Sequence, residues 1–371
     1  MITPRKYWYA FSAFSFVMLA LSANGFSQEP VKIGIAGLVH THVHWLLGRE
    51  ANTDIEIVGI AEPNKELAER FLAEHGLSMD LWYPSIEQML KKAKPEAVCT
   101  FTTTADHLRV VELCAPKGIH VMVEKPLALN YEIAKQMADL AEQYNIQLLT
   151  NYESTWYGST QQAYRIVNVK HQIGDLTKME AHHGHPGPVA IGVNEEFLEW
   201  LTDPALNGGG ALPDFGCYGA NLFTYFTDGQ RPESVSCFTR QFQPELYPDV
   251  EDEALLILNY SDKQGIIQAS WNWADNRKML YLNGTEGYVH CLDGANMRMY
   301  TQKHPTDAKI PAPKVKAPRN DPFGYLAYVV RGLIKPEPWE CSALPNNLLV
   351  MEILDAARKS AETGLPVSLN K

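Results

Sequence analysis

The chain has little cysteine and no excess of positive charge, and each shortage narrows the range of functions. Its 371 residues include six cysteines. None forms a C-x-x-C pair, so we expect buried free thiols rather than a disulfide scaffold. Lys and Arg number 32 against 43 Asp and Glu, which gives a formal net charge of -11. Because such a surface repels phosphate backbones, no nucleic acid is expected as a partner.

Long apolar runs are absent after residue 27, and one run lies before it. Arg5 and Lys6 precede an almost wholly apolar stretch from Tyr7 to Ala23, and small and polar residues follow as far as Ser27. This pattern predicts a cleavable signal peptide over residues 1–27 and a periplasmic or secreted protein, with a retained membrane anchor as the alternative. After processing, no stable membrane span is expected.

The rest of the chain divides into two patterns. From residue 31 to residue 151, short apolar strands alternate with helices, which predicts a parallel sheet wound on both faces. After residue 151 the runs lengthen and alternate, which predicts an open, mostly antiparallel sheet before an amphipathic helix over 344–363. We therefore expect an α/β protein with domains over 28–150 and 151–371. The stretch from Pro305 to Pro322, rich in Pro and Lys, is typical of a surface loop.

Four segments carry a resemblance to a known family. They are Glu124-Lys125-Pro126 at a predicted strand end, the glycine run Gly208–Tyr218, the turn Gly284–Gly287, and the closing segment Leu344–Pro366. In this order they resemble the Gfo/Idh/MocA oxidoreductase family. The resemblance implies a Rossmann dinucleotide-binding domain, an α+β domain with an open sheet that can pack in a homo-oligomer, and a carbohydrate site between them.

Lys125, Asp214 and Tyr218 are the catalytic residues that this resemblance implies. Asp214 and Tyr218 lie four residues apart at a predicted helix start, so one helix face presents both. An ammonium favours phenolate, so we expect Lys125 to lower the pKa of Tyr218, which would exchange a proton with a substrate hydroxyl. Most of the family has His at this position, and the tyrosine resembles the exported glucose–fructose oxidoreductase branch. The implied activity is an NAD(P)-dependent dehydrogenase acting on a sugar, glycoside or polyol hydroxyl.

The predicted phosphate-binding loop lacks two of its three expected glycines. The fingerprint G-x-G-x-x-G is replaced by Gly37-Leu38-Val39-His40-Thr41-His42. Val39 stands where the backbone must approach a pyrophosphate, and His42 replaces the glycine that lets helix and strand pack. Backbone amides at a helix start still bind phosphate, so Gly37, Leu38, Val39 and His40 remain candidates for cofactor contacts.

Other predicted cofactor contacts follow the strands. Glu62 ends the second strand, where a carboxylate accepts hydrogen bonds from a ribose diol and repels a 2′-phosphate, so NAD is favoured over NADP. By resemblance, Thr103, Thr104 and His107 lie where the loop passes the nicotinamide, and Glu124 completes the set.

Two histidine clusters indicate a different use of the same fold. They are His40, His42 and His44 in the altered loop, and His182, His183 and His185 after a predicted strand of the second domain. Imidazoles with a carboxylate suit zinc or another transition metal, so a metal is not excluded although no zinc motif is present. The alternative function is a metal-assisted elimination or hydrolysis of a carbohydrate, such as a keto-sugar, without net redox.

Substrate contacts are expected from imidazoles and aromatic rings. We expect His183, His185, Tyr152 and Trp156 to contact a small carbohydrate, because imidazole binds hydroxyls and sugar rings stack on aromatic faces. A sugar-binding protein without turnover is the remaining alternative, and the Lys125, Asp214 and Tyr218 set argues against it.

Overall fold

The computed structural model describes residues 29–50 and 53–369. The expected signal peptide lies outside these residues. Within them, no helix is both long enough and apolar enough to cross a membrane. All six cysteines are buried free thiols, as expected.

Six parallel strands form the first sheet, in the spatial order β3-β2-β1-β4-β5-β6. They are β1 Val31–Ala36, β2 Ile55–Ala61, β3 Trp82–Tyr83, β4 Ala97–Thr100, β5 His120–Glu124 and β6 Leu148–Asn151. The connecting helices are α1 Val43–Leu47, α2 Lys65–Glu74, α3 Ile86–Lys92, α4 His107–Cys114 and α5 Tyr131–Gln143. The strand order reverses between β1 and β4, so the carboxyl ends of these strands form the crevice where ligands bind in such sheets.

Nine strands form the second sheet, in the order β14-β13-β12-β11-β7-β10-β9-β8-β15. They are β7 Leu176–Gly184, β8 Ser234–Arg240, β9 Glu253–Asn259, β10 Gln264–Ser270, β11 Arg277–Gly284, β12 Gly287–Cys291, β13 Asn296–Thr301, β14 His304–Pro311 and β15 Val367–Ser368. Only β7 and β10 pair in parallel, and the other adjacent strands in this described sheet are antiparallel. The predicted fold class is confirmed.

The expected surface loop from Pro305 to Pro322 is only partly correct. Its first part belongs to β14, which pairs with β13 at the edge of the sheet. An edge strand tolerates proline because one side of its backbone needs no partner. Pro322 begins the helix α10 Pro322–Val330, whose Phe323 and Leu326 are buried in the core of the first sheet.

Helices of the second domain position the site. They are α6 Gly158–Tyr164, α7 Glu195–Leu201, α8 Pro204–Asn207, α9 Cys217–Phe226 and α11 Leu344–Thr363. A π-helical turn over Leu212–Gly216 leads directly into α9. Both α9 and this turn are buried throughout most of their length, and Asp214, Phe215 and Tyr218 are the residues of this segment that reach the interdomain cavity.

Candidate active site

A cavity of about 410 Å³ lies between the two domains. Its walls combine the altered loop after β1, the end of β5, the π-helical turn before α9 and the start of β11. It is lined by His40, Thr41, His42, Lys125, Glu153, Tyr157, His185, Ile191, Val193, Phe197, Asp214, Phe215, Tyr218, Asn276, Arg277, Lys278, Leu292 and Asp293. The cavity therefore contains all three residues for which the sequence indicates a catalytic role.

Lys125 and Asp214 form a buried ion pair in this cavity. The Lys125 ammonium donates to Oδ1 of Asp214 and to its carbonyl oxygen at 3.3 Å. The indole Nε1 of Trp271 donates to the other carboxylate oxygen at 2.9 Å. Burial opposes the charge on both groups, but their attraction lowers the pKa of Asp214 and raises that of Lys125. The pair therefore stays charged and holds the lysine in one place.

Tyr218 packs beside this pair and presents a free hydroxyl. Its ring is 2% exposed, its centroid lies 5.5 Å from the Lys125 ammonium, and its hydroxyl takes part in no hydrogen bond among the described residues. The expected lowering of its pKa is wrong: burial, followed by the Glu153 carboxylate, raises the pKa of Tyr218 well above its usual range. Tyr218 is therefore a neutral phenol that donates its proton, because each nearby ammonium is already paired with a carboxylate.

Glu153 and Lys278 form a second ion pair that the sequence analysis missed. Lys278 Nζ donates to Oε2 of Glu153 at 2.6 Å and lies 5.6 Å from the Tyr218 ring centroid. Tyr157 donates to Oε1 of the same carboxylate at 2.5 Å. Burial opposes ionisation of Glu153, but Lys278 lowers its pKa below the usual value. No local motif marks these residues, since Lys278 reaches the cavity only because β11 pairs with β7.

The altered loop keeps the conformation that its first glycine provides. Gly37 has a φ of +78°, and a Cβ atom there would lie 2.7 Å from Cγ2 of Thr102. The next amide, of Leu38, donates to Oε2 of Glu62 at 2.9 Å. The amides of Val39 and Thr41 have no hydrogen-bond partner in the part of the chain that the structure describes.

A second cavity of about 360 Å³ opens beside this loop. Gly37, Val39, Glu62 and Thr103 contribute to its walls, together with the apolar side chains of Ile86 and Leu113. This donor set fits a dinucleotide, because it offers a carboxylate for a ribose diol, free amides for phosphate and an apolar wall for a base.

Five predicted cofactor residues do not line this cavity: Leu38, His40, Thr104, His107 and Glu124. Thr104 donates to Oδ1 of Asn207 in α8 at 3.4 Å. His107 is buried, with Nδ1 lying 3.1 Å from the Leu127 carbonyl, and burial lowers its pKa to about 4. Thr104 and His107 therefore support the loop from behind instead of facing a ligand.

Helix α7 of the second domain packs directly on the altered loop. The Trp200 indole donates to the Val39 carbonyl at 3.4 Å. Phe197 and Trp200 surround the His40 ring, with centroids 4.8 Å and 5.7 Å away. The altered loop thus contributes the Val39 carbonyl and the His40 ring to an interdomain contact.

His42 stands at the position of the third glycine, and its side chain contacts the Glu-Lys-Pro motif. Its Nδ1 lies 3.0 Å from Oε2 of Glu124, and its ring stacks on Trp45 with centroids 3.7 Å apart. Asn151 donates to the other oxygen of Glu124 at 2.6 Å. Burial raises the pKa of Glu124, whereas His40 and this amide lower it.

His40, His42 and Glu124 lie close enough together to be considered as a metal site. The hydrogen bonds oppose that use. Nδ1 of His40 accepts the His42 amide at 3.1 Å, so the proton of the neutral ring lies on Nε2, the atom that faces Glu124 at 4.0 Å. A metal on Nε2 would move that proton to Nδ1, against a backbone donor.

The other histidines of the two clusters are dispersed. His44 faces His75, with Nδ1 and Nε2 2.8 Å apart, and His182 contacts Oε1 of Gln268 at 2.7 Å. His183 is fully buried and packs edge-on against Tyr218 at 5.6 Å. The two clusters therefore do not combine into one site.

Of the expected substrate residues, His185 lines the cavity. Its Nδ1 accepts the Gly187 amide at 3.0 Å, so the neutral ring carries its proton on Nε2. Burial lowers its pKa to about 4. The expected direct contacts from the other three are not supported: His183 and Tyr152 are buried behind Tyr218, and Trp156 lines a neighbouring cavity.

Comparison with known proteins identifies this arrangement. The family model described as "Oxidoreductase family, NAD-binding Rossmann fold" matches residues 31–152, and the one described as "GFO/IDH/MocA C-terminal domain" matches residues 160–290. A trans-1,2-dihydrobenzene-1,2-diol dehydrogenase of Xenopus laevis is 28% identical over 236 residues, which cover 64% of this chain and 67% of the relative. The Bos taurus enzyme of that name is 24% identical over 89% of this chain and 96% of its own length.

Solved structures show the same fold. The aldose-aldose oxidoreductase from Caulobacter crescentus, complexed with glycerol, aligns with a TM-score of 0.76 at 20% identity over 92% of this chain and 100% of its own. An inositol dehydrogenase homolog from Azotobacter vinelandii, complexed with NAD+, aligns with a TM-score of 0.75 at 17% identity over 92% of this chain and 97% of its own. The two family models together cover more than half of the chain, which therefore belongs to the Gfo/Idh/MocA family and is an oxidoreductase with an NAD-binding Rossmann domain.

Proposed function

We propose that this protein is an exported, NAD-dependent dehydrogenase that acts on a hydroxyl of a neutral sugar, glycoside or polyol. The observation that carries the proposal is the Tyr218 hydroxyl, which is unpartnered in the interdomain cavity beside the buried Lys125–Asp214 pair. A phenol and an ammonium in one cavity both donate to a substrate oxygen, which fixes the carbon that bears it.

The cofactor residues are those that line the smaller cavity. Glu62 would accept from the ribose diol, and the free amide of Val39 would donate to a phosphate oxygen. When bound, the nicotinamide supplies the acceptor or donor of a hydride. A buried carboxylate at Glu62 disfavours an additional phosphate on the ribose, which supports NAD rather than NADP.

Charge balance supports a neutral substrate. Lys125 is paired with Asp214, Lys278 with Glu153, and Arg277 with Asp275. Asp293 accepts from the amides of Ala295 and Asn296. Since each cationic side chain around the cavity is already paired with a carboxylate, an anionic substrate would have to break one of these pairs.

The relatives support a substrate with several hydroxyls. One group is named for a diol, and solved neighbours are named for aldose and inositol or are complexed with glycerol. A hydroxyl-rich ligand would suit the neutral Nε2–H of His185 and the free phenol of Tyr218, because both donate to oxygen without bringing charge.

Export is the part of the proposal that rests on the sequence alone. The basic residues and apolar stretch before Ser27 support it. Free nicotinamide cofactors are scarce outside the cytoplasm, so the cofactor would stay bound and be recycled in place by a second substrate.

Titration calorimetry of the purified protein with NAD and with NADP tests the cofactor. We expect binding of NAD and weaker binding of NADP, and Glu62→Gln should narrow that difference because it removes the charge while keeping the side-chain size. Asp80→Asn, an exposed carboxylate of the same domain, is the matched control. No bound nucleotide after purification, together with no heat of binding for either dinucleotide, would contradict the proposal.

A further inference from the structure

The cavity contains more proton-transfer groups than a dehydrogenase step uses. Oxidising a hydroxyl to a carbonyl releases one proton and one hydride, and the phenol of Tyr218 with its lysine is sufficient for that proton. A second set, consisting of His42, Glu124 and Asn151, meets the same cavity through the ring of His42. This second set is the feature that the proposed dehydrogenase activity leaves unexplained.

The hydrogen bonds of the second set have a defined direction. An indole N–H only donates, and Trp156 Nε1 donates to Oδ1 of Asn151 at 2.9 Å. The amide nitrogen of Asn151 must therefore donate to Oε1 of Glu124, which it does at 2.6 Å. The remaining oxygen of Glu124 then accepts from Nδ1–H of His42 at 3.0 Å.

This direction leaves one free acceptor on the imidazole. With its proton on Nδ1, neutral His42 carries a lone pair on Nε2, which contacts no described polar group. The side chain is 19% exposed and lines the cavity, whereas Glu124 and Asn151 are buried. Asn151 and Glu124 thus orient a base, which is the arrangement that general-base catalysis by histidine requires.

We propose that His42, oriented by Glu124, removes the proton from the carbon next to the carbonyl of a keto-carbohydrate bound in this cavity. The C–H bond breaks, the proton passes to Nε2 of His42, and the electron pair moves to the carbonyl oxygen as an enolate. The Lys125 ammonium and the Tyr218 phenol donate hydrogen bonds to that oxygen. The reverse transfer returns a proton to the carbon, so the step is balanced without a nucleotide or a metal.

Burial fixes the protonation state of both groups. Burial, followed by the charge of Lys125, lowers the pKa of His42 to about 3, so the ring is neutral at ordinary pH and its Nε2 lone pair is available. Tyr218 keeps its proton because its pKa is raised by burial and by Glu153. A lowered pKa also makes the imidazole a weaker base, so the step depends on the stabilisation of the enolate oxygen by Lys125 and Tyr218.

Hydrogen–deuterium exchange tests the proposal without using dehydrogenase activity. The probe is methyl 3-keto-glucopyranoside in D2O with no added nucleotide, and proton NMR follows the signals of the hydrogens next to the carbonyl. We expect the protein to accelerate their loss above the buffer rate, and His42→Gln to slow that loss by about 100-fold, the scale of general-base catalysis. Glu124→Gln should slow it less, since it leaves the imidazole but disturbs its orientation.

His44→Gln is the matched control, because His44 lies two residues further along, in the short helix α1, and faces His75. It should keep the exchange rate of the parent protein. His42→Asn is the second variant, and thermal unfolding shows which variants are folded. A parent rate equal to that of buffer, or an unchanged rate in both folded His42 variants, would overturn the proposal.

The inference shares the cavity of the proposed dehydrogenase but fails separately from it. Calorimetry with NAD on the same preparations reports the dinucleotide site. Exchange without NAD binding would support the proton transfer and contradict the proposed dehydrogenase. NAD binding without exchange would support the dinucleotide site and contradict the proton transfer.

Discussion

At the scale of single residues, the main feature of the interdomain cavity is the protonation state of Tyr218 beside two lysines. The ammonium groups of Lys125 and Lys278 lie 5.5 Å and 5.6 Å from the centroid of the Tyr218 ring, but each is paired with a carboxylate. The surrounding burial therefore decides the protonation state of the tyrosine, and its pKa rises. A sequence motif that places a lysine beside a tyrosine does not by itself establish a phenolate.

Tyr218→Phe is the variant that isolates the hydroxyl. The ring is buried while the hydroxyl takes part in no hydrogen bond among the described residues, so the variant should fold with nearly the same stability. We expect kcat for the oxidation or reduction of the carbohydrate to fall by about 100-fold or more, as for the loss of a general acid or base. Steady-state kinetics beside a denaturant titration would measure both quantities. Tyr157→Phe, which removes the hydroxyl that donates to Glu153, is the control, and its kcat should fall less than that of Tyr218→Phe.

At the scale of elements, the altered loop and α7 have to be considered together. The branched side chain of Val39 lies against the dinucleotide cavity, its carbonyl accepts from Trp200, and the next residue, His40, is enclosed by α7. The packing against α7 is made by the Val39 carbonyl and by His40, which is not a glycine position of the fingerprint. The loop thus lines the smaller cavity and also contacts the second domain.

Val39→Gly should separate these two roles. Removing the side chain lets the loop backbone approach a pyrophosphate more closely, so we expect a smaller dissociation constant for NAD by calorimetry. The greater freedom of the unfolded chain should reduce the free energy of unfolding by about 1 kcal/mol. Weaker NAD binding in a folded variant would show that Val39 itself contacts the cofactor favourably.

At the scale of the whole molecule, buried neutral histidines make folding sensitive to acid. Burial lowers the pKa of His42 and His183 to about 3 and that of His107 and His185 to about 4. In the unfolded chain these rings would titrate near the ordinary value of 6.5. The unfolded state therefore binds more protons as pH falls below that value, and the folded state loses stability.

The pH dependence of unfolding follows from this difference. Stability should be fully present above pH 6.5 and decline as pH falls towards the lowered values, by about 1.4 kcal/mol per pH unit for each ring that stays neutral only in the folded state. Urea titrations between pH 7.5 and pH 5 would measure the free energy of unfolding at each pH. His107→Asn removes one titrating ring, so the slope of that free energy against pH should fall by about 1.4 kcal/mol per pH unit. A flat profile over this range would contradict the assignment of these rings as neutral.

Local patterns in the sequence were sufficient for the architecture and for part of the site. Period and turn residues predict the two sheets, because each strand carries its own hydrophobic pattern. The Glu-Lys-Pro and Asp-x-x-x-Tyr segments point to Lys125, Asp214 and Tyr218, because each motif is a short continuous stretch of sequence. The family membership is confirmed by models that match residues 31–152 and 160–290.

Only the tertiary structure decided which residues share the cavity and which carry protons. Glu153 and Lys278 meet through strand pairing between distant segments, and His42 reaches Glu124 across 82 residues of sequence. Tyr152 and His183, expected in contact with substrate, are covered by Tyr218. Burial and long-range contacts set these outcomes, since both depend on what the fold places around a side chain and not on its neighbours along the chain.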